Sequence, residues 1–159
     1  MKKIILGDLF ELQAVHGKAY IQCVDIPNNN NDVELIKVFY TIYKEGVTDI
    51  NLTTEEDFFF IRFPLRVAYR KNIVKKIGNV PLPNTFELPK YLRRFHSFGH
   101  EPLGWHIIDT KTEQIKLVKH LTDDQKKLSP WGGMNDTLII ELLEKGWRLE
   151  KWTSDNMFE

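Results

Sequence analysis

Three of the chain's five histidines, His96, His100 and His106, fall in one short stretch. Converging imidazoles are the usual start of a zinc site. His96 and His100 would share a face if the stretch were helical, but Gly99 and Pro102 oppose a helix there. There is no HExxH, and Cys23 is remote. The plainer reading is a set of surface or hydrogen-bonded imidazoles in a strand–loop region. Cys23 as a nucleophile would need a distant base to converge on it; inside an apolar strand it reads as a small buried hydrophobe. Ser97, Ser129 and Ser154 lack a G-x-S-x-G setting, and Gly132-Gly133 does not make a phosphate loop. Glu55, Glu56 and Asp57 are adjacent, so they point in different directions and make a poor acid–base pair. The sequence assigns no catalytic residue, metal or cofactor, and the expectation is a protein that is not an enzyme.

Binding chemistry is better represented. Arg62, Arg66, Arg70, Lys71, Lys75 and Lys76 form a basic run that could contact phosphate or, more plainly, be a solvated face protecting a sheet edge. Phe58-Phe59-Phe60 could be an aromatic platform, but core packing explains it as well. Trp131 precedes Gly132-Gly133 and is the best candidate for an exposed anchor, with a core role the alternative. Glu101, Asp123 and Asp124 could complement a basic partner surface. Lys+Arg and Asp+Glu are 22 each, so the chain lacks the global field of a general nucleic-acid binder.

The elements that must position these residues read as strands. Phe10, Leu12 and Ala14 alternate with polar residues, and Ala19, Ile21 and Cys23 alternate on the way back. Gly17 supplies the turn between them. Gly7-Asp8 suggests a bend, with Asp8 capping local donors; many small SH3-like barrels begin this way. Residues 27–32, with four Asn in a row, are a loop. Val33 to Ile42 is apolar on both faces and predicts a central strand. Phe58 to Phe63, Leu65 to Tyr69 and Ile73 to Ile77 read as further strands. Residues 78–84 are an extended crossing segment with two prolines. Tyr91 to Phe98 precedes a hairpin of Leu103 to Ile107 with Ile115 and Leu117, turning at Asp109 to Thr112.

Thr53-x-x-Glu56 fits a capping box, and Thr122 to Gln125 starts one or two helical turns. Asn135 or Asp136 caps a helix to Lys145, with Gly146 at its C′ position. Trp147, Leu149 and Trp152 would form a last strand. The fold class expected is α+β: a mainly antiparallel, barrel-like sheet with an SH3-like start and one C-terminal helix. It forms one domain over residues 1–153, with a frayed tail at 154–159.

One cysteine allows no intramolecular disulfide and suits a reducing compartment. The apolar run after Met1-Lys2-Lys3 stops at Gly7-Asp8, short of a signal-peptide core. No stretch is long and apolar enough to cross a bilayer. The expected location is the cytoplasm, without membrane attachment.

Two passages carry a family resemblance. Leu6-Gly7-Asp8-Leu9-Phe10-Glu11-Leu12 followed by Gly17-Lys18-Ala19-Tyr20 resembles the opening of the immunity protein 26 family of bacterial polymorphic-toxin systems. Ile77-Gly78-Asn79-Val80-Pro81-Leu82 resembles that family's segment after its middle strand. The likeness covers roughly the first 90 residues. It implies a non-enzymatic cytoplasmic antidote in interbacterial competition, which binds a cognate toxin domain and blocks its active site or substrate access. Gly7, Asp8, Gly78 and Pro81 then shape backbone rather than make contacts. A nucleic-acid-binding β-barrel module using the basic run is the alternative, and a metal-dependent enzyme at the three histidines is the third reading.

Overall fold

The computed structural model describes residues 2–47, 51–52 and 57–158. Among these residues, strands β1 (Asp8–Gln13), β2 (Lys18–Asp25), β3 (Glu34–Phe39), β4 (Phe58–Phe63) and β5 (Val74–Asn79) form one antiparallel sheet in the order β4-β3-β2-β1-β5. Strands β6 (Tyr91–Phe98), β7 (Glu101–Asp109) and β8 (Ile115–Val118) form a second antiparallel sheet in that order. Helices α1 (Leu65–Arg70) and α2 (Asp136–Glu144) complete an α+β arrangement, with 3₁₀ turns at Gln125–Lys127 and Leu149–Lys151.

The alternation read in the opening hairpin sets its register. Phe10, Leu12, Ala19, Ile21 and Cys23 all face one core and are buried. Gly17 is required at the turn: a Cβ there would lie 2.1 Å from the carbonyl oxygen of Tyr43, whose backbone exchanges two hydrogen bonds with Lys18. At the start of β1, Gly7 takes φ 90° and its carbonyl accepts from Val80 N–H. Asp8 is fully buried; it accepts from the Ile5 N–H and the Asn79 side chain and pairs with Lys76 at 2.8 Å. Burial pushes its carboxyl up, but these hydrogen bonds and the ammonium together hold it below the usual carboxylate range. Gly78 faces open space, and Pro81 is exposed in the crossing segment.

A closed, barrel-like sheet is not what forms. β4 and β5 stand at opposite edges of the first sheet. The outer edge of β4 is occupied by other chain, residues 129–134. The Phe60 N–H donates to Ser129 Oγ, Arg62 N–H to the Gly132 carbonyl, and Met134 N–H to the Arg62 carbonyl. The same segment serves the free edge of β6, since Arg93 N–H donates to Ser129 O and Trp131 N–H to Arg93 O. Parallel bridges pair Gly133 with Arg62 and Pro130 with Arg93. One extended segment thus joins two open sheets into one surface and satisfies edge groups that would otherwise be costly to leave unpaired.

Two other expectations are corrected. Leu65 to Tyr69 is helix α1, not a strand: Pro64 at φ −73° starts the helix, and Leu65 and Ala68 bury a face one turn apart. Asn72, at φ 59°, then turns the chain into β5. Trp147 to Trp152 is not a strand either. Gly146 N–H donates to Leu143 O and Trp147 N–H to Leu142 O, the paired bonds of a Schellman stop, and a 3₁₀ turn follows. Asn135 caps α2 by accepting from Leu138 N–H at 2.8 Å. Thr122 and Gln125 exchange side chain–backbone bonds as a capping box does, over a single 3₁₀ turn. The motif Thr53-x-x-Glu56 lies outside the described residues. At the C-terminal end, Met157 packs against the core and Lys145 lies 4.5 Å over the Phe158 ring.

One apolar core spans both sheets. Phe59 and Ile61 of β4, Trp105 of β7, Ile139, Leu142 and Leu143 of α2, and Trp147 and Trp152 meet in it. Each such side chain contributes roughly 1.5–3 kcal/mol on burial. At the seam sits Arg93, fully buried. Its guanidinium donates to the carbonyls of Leu128, Trp152, Lys126 and Leu149 and lies 4.8 and 4.5 Å over the Trp105 and Trp152 rings. The buried arginine therefore ties β6 to both 3₁₀ turns and to the start of the tail.

Candidate functional site

Strand alternation gives the joined sheets two faces. Arg93, Phe95, Trp105 and Ile107 turn to the core side; Leu92, Arg94, His96, His106 and Ile108 turn to the other. Bridge partners carry their side chains to the same side, so Pro130 follows Arg93 inward. Trp131 then joins the outer side, as does Gly133 with Arg62. The outer side of the seam therefore presents Trp131 between β4 and β6, and it continues across Arg94 and His106 to Leu117 of β8. Trp131 is 41% exposed, and Ile115 and Leu117 are 54% exposed.

The centre of this face is a compact polar arrangement. Arg94 stands directly opposite His106, and an Nη of its guanidinium lies 2.9 Å from His106 Nδ1. A guanidinium only donates, so Nδ1 is the acceptor and a neutral His106 carries its proton on Nε2. His96 stands opposite Gly104, which has no side chain, and its ring leans along the strand onto His106 with centroids 4.1 Å apart. Burial, then His96, then Arg94 push His106 below the ordinary histidine value. The two rings stack near-parallel, at 23°, and no group of three metal-ligating side chains occurs among the described residues. His100 is exposed in the β6–β7 turn, away from the stack in the pairing.

Beside this centre a groove of about 430 Å³ opens where the sheets meet. Leu35, Leu88, Pro89 and Leu92 give it apolar walls, and Arg62, Lys90, Lys111 and Glu87 ring it. The proline-bearing segment 80–90 borders it: Phe86 lies over the first sheet against Phe60, with Lys37 4.3 Å from the Phe58 ring. Phe58 and Phe60 thus share the outer side of the sheet while Phe59 is in the core.

The basic run is largely spent inside the molecule. Arg62 pairs with Asp25 at 3.1 Å, Arg66 with Glu34, and Lys76 with Asp8, while Lys75 reaches Glu11 at 4.0 Å. Only Arg70 and Lys71 of the six carry no described ion pair. The acidic candidates do not gather around Trp131. Glu101 is exposed at the β6–β7 hairpin tip opposite Phe98, while Asp123 and Asp124 are exposed just before the 3₁₀ turn. Cys23 is fully buried, and burial pushes its thiol up to about 12, which removes it as a nucleophile. Of the three histidines singled out in the sequence, the structure brings His96 and His106 together and leaves His100 apart. The partner that sequence reasoning missed is Arg94, whose only signal was its even spacing from His96 along a strand.

Comparison with protein-family models, with curated proteins and with solved structures finds no match to this chain. No helix among the described residues is long and apolar enough to cross a membrane.

Proposed function

We propose that the chain is a non-enzymatic immunity protein that binds a cognate bacterial toxin domain in the cytoplasm and blocks its active site or the access of its substrate. One observation carries the binding half of this reading: the outer face of the seam sets a part-exposed tryptophan and two half-exposed aliphatic side chains on a rigid, two-sheet backing. Aromatic anchors on a preorganised surface are where interface energy concentrates. The resemblance of the opening hairpin and of residues 77–82 to immunity proteins carries the toxin half. The nucleic-acid reading loses support, since three of the six basic residues it needs, Arg62, Arg66 and Lys76, are held in close ion pairs.

The test is co-purification of the chain with toxin domains encoded beside its gene, followed by assay of toxin activity. A stable complex that silences the toxin is expected. Absence of a complex with every neighbouring toxin domain defeats the reading.

A further inference from the structure

We infer that the seam face recognises a carboxylate of its partner through Arg94 and the stacked His96–His106 pair, so that the surface it covers is acidic and apolar. The inference rests on the toxin-binding reading of this face, and it reverses the charge expected when Glu101, Asp123 and Asp124 are taken as the contacts.

Among the described residues, no carboxylate lies within ion-pair distance of Arg94, Lys90 or Lys111. Arg94 spends one nitrogen on His106 and keeps the rest of a five-donor fork, whose geometry matches a carboxylate. A neutral His106 keeps an Nε2–H donor on the side of its ring turned away from Arg94, a second point at which the partner can be held. The groove alongside is lined by Lys90 and Lys111, by Arg62, which Asp25 already pairs, and by one carboxylate, Glu87. The nearby Asp109 carboxylate accepts from the turn amides of Lys111 and Thr112 and also feels the Lys90 ammonium, too far away for an ion pair. Leu117, directly across from His106, and Trp131 flank the polar centre with apolar surface, so that a partner closing over it would exclude water and strengthen such a pair. The groove walls of Leu35, Leu88, Pro89 and Leu92 suit an apolar side chain next to the acid. A nucleic-acid backbone would instead want a continued row of cations with stacking rings, and here the row ends beyond His106 in the aliphatic Ile115 and Leu117 of β8. Charge complementarity therefore commits the face to an acidic protein segment.

Two probes test this on the intact chain. The first is the neighbouring toxin domain, titrated against wild type, Arg94→Gln, Arg94→Lys and Leu117→Glu. The second is an acidic leucine-containing peptide, with single-stranded RNA of equal charge as comparison, followed through the imidazole nitrogen signals of His96 and His106. Arg94→Gln should weaken toxin binding at least tenfold, Arg94→Lys should not restore it, and Leu117→Glu should weaken it by offering Arg94 an internal carboxylate. The peptide should shift both imidazoles in wild type but not in Arg94→Gln. Unchanged toxin affinity in all three variants overturns the inference and leaves the toxin reading standing. A peptide response without any toxin complex supports the inference and defeats the toxin reading. No response to toxin or peptide, or a stronger response to RNA, overturns it.

Discussion

Arg93 and Arg94 are neighbours on one strand with opposite fates, and replacing Arg93 separates structure from surface chemistry. Arg93→Met removes a guanidinium that donates to four backbone carbonyls and sits against two indoles, fully out of water. Losing the buried cation recovers its desolvation cost, the same burial that lowers its pKa to about 10. Four carbonyls lose their donor, however, and each hydrogen bond to a charged group is worth about 1.5–3 kcal/mol. A buried acceptor left unpaired costs about 1–3 kcal/mol, so four of them, less the several kcal/mol of recovered desolvation, give an expected net loss of about 3–5 kcal/mol. For a chain of this length, it corresponds to a fall in Tm of about 6–20 °C. Arg93→Lys keeps the charge but cannot reproduce the planar fork, so it should recover less than half of the loss. Urea and thermal unfolding followed by tryptophan fluorescence reads the effect directly, because Trp105 and Trp152 pack on the guanidinium. A Tm within about 2 °C of wild type for Arg93→Met would refute the view that this residue holds the two sheets together.

Other consequences are sharp. Gly104→Ala would put a Cβ 2.3 Å from the Val118 carbonyl oxygen at φ 124°; a stability loss of more than about 1 kcal/mol in denaturant titration is expected. Cys23 should react with a thiol reagent only as the chain unfolds, with native labelling and global unfolding at the same denaturant midpoint. His106 is held below its ordinary value when folded, so the unfolded chain binds that proton more readily. Its contribution is fully present above pH about 6.5 and is lost as the pH falls through the folded value. Urea midpoints at pH 7 and pH 5 should therefore differ less in His106→Gln than in wild type.

Much of the fold was legible because it is written in local alternation. The opening hairpin, the central strand through Ile36 and Val38, the β7–β8 turn at Asp109 and the caps at Asn135 and Gly146 each depend on neighbours a few residues away. Helix α1 was missed since six residues with Arg66, Val67 and Tyr69 among them satisfy a strand pattern as well as a helical one; burial of Leu65 and Ala68 against distant strands decides between them. The seam was not legible. Ser129 to Met134 reads as a Gly-rich loop until two sheet edges claim it, and Arg93 looks like any basic residue until four carbonyls from elsewhere in the chain converge on it. The proposed binding face shares this limit. Trp131 stood out by its type and flanking glycines, whereas Arg94, His96 and His106 become a unit only through the register of β6 on β7.

The most direct test of the binding face is the affinity of the neighbour-encoded toxin domain for wild type and for Trp131→Ala, measured by titration calorimetry with both proteins shown to be equally folded. Trp131 is 41% exposed, so its truncation also costs stability, roughly 1–3 kcal/mol for the part already packed, and the comparison is made where both proteins are folded. A buried interface anchor should cost at least about 2 kcal/mol of binding, or about thirtyfold in Kd. A toxin complex whose affinity is the same for both proteins would show that the partner docks elsewhere.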